Sequence, residues 1–181
     1  MALDSTKVRV AVTGQLMVAP VATTPPTGTG GTTTGFVDLG YVSEDGVTET
    51  RERSTEDIKS WQNAATVRTV ITDATYTFQA TLIETNPATV AAFYGATVTS
   101  GATDGNFVVV PSATGGRKSF LLDIVDGAEL MRYYIPQGEI TEVGDRTYAS
   151  GEPIGYDITI TAYPDTVIGG SAKCWATALK T

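Results

Sequence analysis

The chain has 181 residues and a formal net charge of -8, from 12 Lys+Arg and 20 Asp+Glu. Its hydrophobic fraction of 41% and charged fraction of 18% indicate a folded protein. The acidic balance argues against a nucleic-acid binder, which needs clustered cations. The chain has no His and only one cysteine, Cys174. This composition excludes His-based catalysis and an intramolecular disulfide.

Carboxylate pairs are the remaining option for acid–base chemistry. Glu49 and Glu52, like Glu139 and Glu142, lie three residues apart in predicted strands, and that spacing puts the two side chains on opposite faces. The Thr-Gly-Thr-Gly-Gly run at 27–31 lacks the strand-to-helix junction and the Lys of a phosphate-binding loop. We therefore predict no enzymatic activity and no catalytic, cofactor-binding or metal-binding residues.

Threonines that alternate with apolar residues predict β-strands along most of the chain. Residues 75–83 and 157–163 show this pattern most clearly, with apolar side chains on one face and Thr on the other. Two-residue turns at Asp45-Gly46 and Asp126-Gly127 predict antiparallel neighbours. The other strand candidates, in chain order, are 7–12, 36–42, 47–53, 67–72, 106–110, 118–125, 129–135 and 139–143.

One segment, at about 86–94, predicts a short helix. Asn86 suits the N-cap, Pro87 the first helical position and Gly95 a left-handed C-cap. Val90 and Phe93 with Tyr94 form an apolar stripe that can pack on a sheet. The sequence thus predicts a mainly β protein, an antiparallel β-sandwich or half-barrel with one flanking α-helix.

Two regions are predicted to be arms rather than core. Residues 20–35 are rich in Thr, Gly and Pro and carry no charge, which predicts an extended, mobile loop. Residues 41–60 are a polar, net acidic excursion between two apolar strands. Trp61 and Trp175 lie near the ends of segments, where aromatic anchors of subunit interfaces are common, although core packing is an equal alternative.

Three blocks of the sequence resemble the major tail (tail tube) proteins of long, non-contractile-tailed phages of the siphovirus type, especially those of actinobacteria. The first block is 61–86, which ends in Leu-Ile-Glu-Thr-Asn and passes directly into the predicted helix. The second is 36–47, Phe-Val-Asp-Leu-Gly-Tyr-Val-Ser-Glu-Asp-Gly-Val. The third is 132–165, with Ile-Pro-Gln-Gly-Glu-Ile at 135–140 and Ile-Thr-Ile-Thr-Ala-Tyr-Pro-Asp at 158–165.

The resemblance implies a single tail-tube domain over 1–181, with arms at 1–6, 20–35, 41–66 and 164–181 and no room for the C-terminal immunoglobulin-like domain of some relatives. Six protomers would form a ring, and stacked rings would form a tube in the virion, assembled in the host cytoplasm. The implied partners are further copies of the chain, a tape-measure protein, and tail initiator and terminator proteins. Double-stranded DNA would pass through the lumen without specific binding, and no membrane is involved.

We assign the lumen and stacking residues by charge, because an acidic lumen wall repels phosphate and prevents the duplex from binding. The lumen candidates are Glu139, Glu142, Asp145 and Glu152. The ring-stacking candidates are Glu44, Glu49, Arg51, Arg53 and Trp61. The alternative is a β-sandwich binding or capsid-decoration module, whose recognition face would hold Tyr133, Tyr134, Tyr148 and Tyr156.

Overall fold

The computed structural model describes residues 3–4 and 7–180. The described chain is mainly β, with one α-helix and a final 3-10 turn at Thr177–Leu179. The elements are β1 (Thr13–Pro20), β2 (Val37–Asp38), β3 (Val42–Lys59), β4 (Thr66–Leu82), α1 (Pro87–Tyr94), β5 (Thr99–Ser100), β6 (Gly105–Asn106), β7 (Lys118–Asp126), β8 (Glu129–Val143), β9 (Tyr156–Ala162) and β10 (Lys173–Ala176). Within the described residues, no helix has the length and hydropathy needed to cross a bilayer.

A single antiparallel sheet holds most of the strands, in the order β2-β1-β7-β8-β9-β4-β3. Strand β8 pairs with three other strands and organises the sheet. One edge of β8 pairs with β7, while the other edge pairs with β10 along residues 131–134 and with β9 along residues 138–143. The prediction of an antiparallel, mainly β fold with one short helix is confirmed.

The sheet curves around one apolar core. Leu16 of β1 and Phe78 of β4, far apart in the strand order, belong to the same buried cluster as Ile135 of β8 and Ile158 of β9. Helix α1 adds Val90, Ala92 and Phe93 to this cluster and covers it. A smaller cluster of Met17, Leu121 and Tyr134 lies on the opposite face of β1, β7 and β8.

Helix α1 follows the predicted caps. The Asn86 side chain accepts a hydrogen bond from the Thr89 N–H at 2.9 Å, Pro87 begins the helix, and Gly95 ends it with φ +59°. Phe93 is buried and Tyr94 half-buried, as the apolar stripe predicts. The helix is therefore set by local sequence and positioned by its apolar side.

Several predicted strand boundaries are wrong. Residues 7–12 lie outside the sheet and the strand begins at Thr13, while within 36–42 only Val37–Asp38 and the first residue of β3 are strand. Of residues 106–110, only Asn106, the last residue of β6, is in a strand. The predicted hairpin between β7 and β8 is present, but its two-residue turn is Gly127-Ala128 rather than Asp126-Gly127, because Asp126 pairs with Glu129.

The polar excursion at 41–60 is not a loop. It forms β3, which pairs along its length with β4, and the predicted strands 67–72 and 75–83 merge into that one partner. Asp45-Gly46 makes no hairpin turn, because it lies in an irregularity of β3 where the register shifts between Val42 and Val47. The left-handed φ of +71° at Gly46 fits this bulge.

Candidate assembly surfaces

The face of the sheet opposite the core is polar along β3, β4, β9 and the end of β8. Because Phe78, Ile158 and Ile160 point into the core, their neighbours along the strands point the other way. Cross-strand pairs such as Thr77 with Thr161 and Gln79 with Thr159 lie on that polar side. We call this surface the acidic face; its residues are Thr48, Thr50, Glu52, Thr75, Thr77, Gln79, Thr81, Glu139, Glu142, Asp157, Thr159 and Thr161.

The acidic face carries four carboxylates and no cation. Residues 75–82, 139–143 and 156–162 contain no Lys or Arg. The nearby Arg51 belongs to the other side of β3, because it pairs with Tyr76, whose side chain packs against the core. Since no base neutralises these acids, this face would repel a polyanion such as DNA.

Two of the lumen candidates, Glu139 and Glu142, lie on the acidic face. Glu139 pairs with Thr161 and Glu142 with Thr159, and the register shifts between them. The expectation that a spacing of three puts the two glutamates on opposite faces is therefore wrong, because the extra residue of this bulge, Thr141, restores a common face.

The other two lumen candidates, Asp145 and Glu152, are exposed in the loop at 144–155 that joins β8 to β9. Arg146 holds this loop to the molecule, with its guanidinium carbon 4.2 Å from the ring centre of Tyr156 and 5.0 Å from that of Tyr148. The strands therefore do not bring these two acids onto the acidic face. Sequence reasoning missed Asp157 and Glu52, which alternation along their strands could have identified.

Strands β3 and β4 continue past the rest of the sheet as a two-stranded extension. Strand β9 pairs with β4 only from Thr77 to Leu82, so residues 51–76 pair only with each other. We call residues 51–76 the hairpin extension. Its turn places Trp61 at the tip, where the residue is 96% exposed. In this turn the Ser60 hydroxyl donates to Asn63 Oδ1, and the Ala64 N–H donates to the Ser60 carbonyl.

The ring-stacking candidates lie along this extension or at its base. Arg51 and Arg53 share one side, where they line an open cleft with Ser171 and Ala172, and neither forms an ion pair within the described chain. Glu44 is exposed in the bulge of β3. The extension thus presents two cations on the side opposite Glu52.

Glu49 lies among tyrosines at the base of the extension. The Tyr76 hydroxyl donates a hydrogen bond to Glu49 Oε1 at 2.7 Å. Burial raises the pKa of Tyr76 above its ordinary range, and the Glu49 carboxylate raises it further. Burial, together with the charge of Glu49, likewise raises the pKa of Tyr133 to about 12. Glu49 is therefore tied to the protomer itself.

Residues 20–35, predicted to be an extended, mobile loop, instead fold back through turns onto β7 and β8. Arg132 Nη1 donates hydrogen bonds to the carbonyls of Gly28 and Gly31, at 3.2 and 2.9 Å. Pro26 is buried. An uncharged loop is thus fixed by a buried guanidinium that its own composition does not reveal.

The exposure of the remaining aromatic residues decides between the core and interface roles of the two tryptophans and tests the alternative tyrosine recognition face. Trp175 is half-buried and packs on the smaller cluster with Met17, whereas Trp61 is exposed. Of the four tyrosines of the alternative binding face, Tyr134 and Tyr156 are 4% and 2% exposed. They cannot form one recognition surface, because they are core residues on opposite sides of the sheet.

Comparison with known proteins identifies the family. The family model described as "Phage tail tube protein" matches residues 1–172. No curated protein sequence matches the chain at a significant level. A solved structure described as the tail of an empty GTA particle, computed with helical refinement and C6 symmetry, has a TM-score of 0.44 and 10% identity, covering 91% of this chain and 96% of its own. On the family match, the chain belongs to the phage tail tube proteins, and is a structural component of the phage tail, and so of the virion, rather than an enzyme.

Proposed function

We propose that the chain is a single tail-tube domain over 1–181 that assembles into six-membered rings stacked into a tube, with the acidic face lining the lumen. The observation that carries this assignment is the all-acidic, threonine-rich face itself. A duplex moving through a tube needs a wall that its phosphates do not bind. Glu139 and Asp157 supply that wall from adjacent strands, with Glu52 and Glu142 beside them; Asp145 and Glu152 would act from the loop.

Open sheet edges support closure into a ring. Strand β3 pairs only with β4 among the described residues, so its outer edge presents free backbone groups. At the other end of the sheet, β2 covers only Met17 and Val18 of β1. Unpaired edges readily pair with other chains, and a closed ring makes that pairing finite.

The hairpin extension supports stacking of one ring on the next. It projects beyond the core, ends in the exposed Trp61, and carries Arg51 and Arg53 without internal ion-pair partners in the described chain. Glu44 is an exposed acid outside the extension that a neighbouring ring could pair with these cations. Each exposed pair contributes only about 0–1 kcal/mol, so stacking would depend on its repetition around a ring.

The remaining elements of the proposal follow from the family resemblance. Four arms, at 1–6, 20–35, 41–66 and 164–181, would make contacts between subunits; residues 1–2, 5–6 and 181 of them lie outside the described residues. The tube would form in the host cytoplasm around a tape-measure protein, between initiator and terminator proteins. The phage would be of the siphovirus type and its host an actinobacterium.

Negative-stain electron microscopy of the concentrated protein tests ring formation. We expect hollow tubes whose cross-sections show six-fold rings. Rings of another symmetry would contradict the hexamer, and a chain that stays monomeric at high concentration would count against unaided assembly.

Tubes of two variants that carry the same change in charge test the lumen assignment. Glu139→Lys reverses a charge on the acidic face, while Asp104→Lys makes the same reversal in the exposed turn between β5 and β6, outside the acidic face and the stacking candidates. We expect tubes of the first variant to retain short duplex DNA, measured by fluorescence anisotropy, and tubes of the second to behave like the native protein. Equal DNA retention by both variants would refute the assignment.

A further inference from the structure

An open groove lies beside the last residues of β8. It has a volume of about 290 Å³ and is bounded by Phe93 and Tyr94 of α1, by residues 109–114, and by the end of β8. Val109 and Val110 on its wall are about half exposed, as is Val143 on its floor. We call this site the β8 groove.

The floor of the β8 groove includes an unpaired strand edge. Strand β7 stops at Lys118, opposite Gly138, so the β7-side edge of β8 from Glu139 to Val143 has no strand partner in the described chain. Val109 on the wall also makes no backbone hydrogen bond with the described residues. An extended segment entering the groove would find backbone donors and acceptors as well as apolar contacts.

Residues 7–12 of the same protein have the complementary pattern. Val8, Val10 and Val12 alternate with other residues, and each valine is more than 60% exposed. The segment contacts its own sheet through the Val10 N–H on the Asp126 carboxylate, the Val12 N–H on the Val125 carbonyl and the Arg9–Glu129 ion pair. Three exposed valines in one row form an apolar strip that gains free energy when it is covered.

The charges of residues 7–12 and of the β8 groove are also complementary. Lys7 and Arg9 alternate with the valines, and Arg9 contacts Glu129 of its own chain at 3.8 Å. The β8 groove is lined by Glu142 and is bordered by Glu139, which accepts a hydrogen bond from the lining residue Thr114 at 2.6 Å. Residues 7–12 are therefore basic and apolar, and the β8 groove is acidic and apolar, so the two surfaces are complementary.

The two surfaces lie at opposite ends of β8. Residues 9–11 line a pocket together with Glu129 to Met131 at its start, and Arg9 contacts Glu129, whereas the groove lies at Ile140 to Val143. An extended strand of 15 residues is about 45 Å long. The segment therefore cannot reach the groove of its own chain, and the contact must join two copies head to tail.

We propose that residues 7–12 of one copy add as a strand in the β8 groove of the next copy, with Val8, Val10 and Val12 against the apolar wall. This contact rests on the proposed self-assembly and specifies which surfaces meet. It also gives Glu142 a role in the contact, so the charge of the lumen would come mainly from Glu139, Asp157 and Glu52.

Disulfide trapping between two single-cysteine chains tests the contact. Both carry Cys174→Ser, because Cys174 is exposed; one adds Val10→Cys and the other Val109→Cys. The control replaces Val109→Cys with Val167→Cys, an exposed valine outside the groove. After mixing at assembly concentration and mild oxidation, we expect about tenfold more mixed dimer from the groove pair than from the control, since docking raises the local concentration.

The outcomes separate this contact from the proposed function. Tubes without the specific crosslink overturn the docking and leave the tail-tube assembly intact. The crosslink without tubes or rings supports the docking and counts against ring assembly. A chain that gives neither product overturns both.

Discussion

Arg132 and Asp123, paired across β7 and β8, form a two-bond ion pair that is also the attachment point of residues 20–35. Arg132 Nε and Nη2 donate to the two Asp123 carboxylate oxygens at 2.7 and 2.6 Å, and both residues are buried. The same guanidinium donates to the carbonyls of Gly28 and Gly31 through Nη1. Hydrogen bonding to Asp123 raises the pKa of Arg132, so the guanidinium stays charged. One side chain thus joins the sheet to the loop.

Substitution Arg132→Ala should destabilise the protomer and release this loop. It leaves Asp123 as a buried, unpaired carboxylate, a loss of about 3–5 kcal/mol in the free energy of unfolding. Urea denaturation measures that loss, and hydrogen exchange should show lower amide protection at residues 20–35. Arg9→Ala removes an exposed Arg with a longer ion pair, at 3.8 Å, and should change stability little. Native loop protection in Arg132→Ala would contradict the anchoring role.

The backbone conformation and the close neighbours of residue 95 both require glycine, so Gly95→Ala should lower the free energy of unfolding. Its φ is +59°, and an added Cβ would clash with the backbone of Ala113 and Gly115. Gly116, with φ +68°, has open space where its Cβ would be. We expect Gly95→Ala to lose about 3 kcal/mol or more and Gly116→Ala about 1 kcal/mol, measured by thermal unfolding. Equal losses would show that the close approach at Gly95 does not matter.

The parts of the fold that could be predicted are those set by local pattern. Asn86, Pro87 and Gly95 determine the helix ends through their own backbone and side-chain preferences, so a single sequence reveals them. Strand β9 alternates strictly and is buried on one face only. In contrast, β1 buries both Leu16 and Met17, one on each face of the sheet, so its sequence does not alternate.

The parts that could not be predicted depend on contacts between distant segments. Residues 7–12 alternate like a strand, yet their valines stay exposed and no strand pairs with them in the described chain. In the hairpin extension, alternation predicted the strand at 67–72 but not the continuation of β3 beyond Arg53, because residues 54–57 are all polar. On the acidic face, Glu139 and Asp157 share one surface because β8 lies beside β9, and the bulge at Thr141 brings Glu142 to the same side.

Glu49 should control the alkaline titration of the tyrosines at the base of the hairpin extension. The pKa of Tyr133 is raised from 10.0 to about 12 by burial and by the Glu49 charge, and the neutral phenol is therefore favoured in the folded state. This contribution to stability is complete below about pH 10 and is lost as the pH rises through 12.

Glu49→Gln removes that charge, so we expect tyrosinate absorbance to appear at lower pH than in the native protein. The variant should also lose less stability between pH 10 and 12, because a smaller difference between folded and unfolded pKa remains. Glu44→Gln, at an exposed site in the bulge of β3, serves as the control. An unchanged titration curve in Glu49→Gln would mean that burial alone raises these pKa values.

Arg51→Glu should weaken assembly of the tube without unfolding the protomer. Arg51 is exposed on the hairpin extension and has no ion-pair partner within the described chain, so its loss changes the free energy of unfolding by less than about 0.5 kcal/mol. Between rings, however, the reversal places an acid opposite acids at every repeat of the interface. We expect shorter tubes, or rings alone, in electron micrographs, while Arg51→Lys keeps the charge and should give native lengths. A native length distribution for Arg51→Glu would exclude Arg51 from the stacking contact.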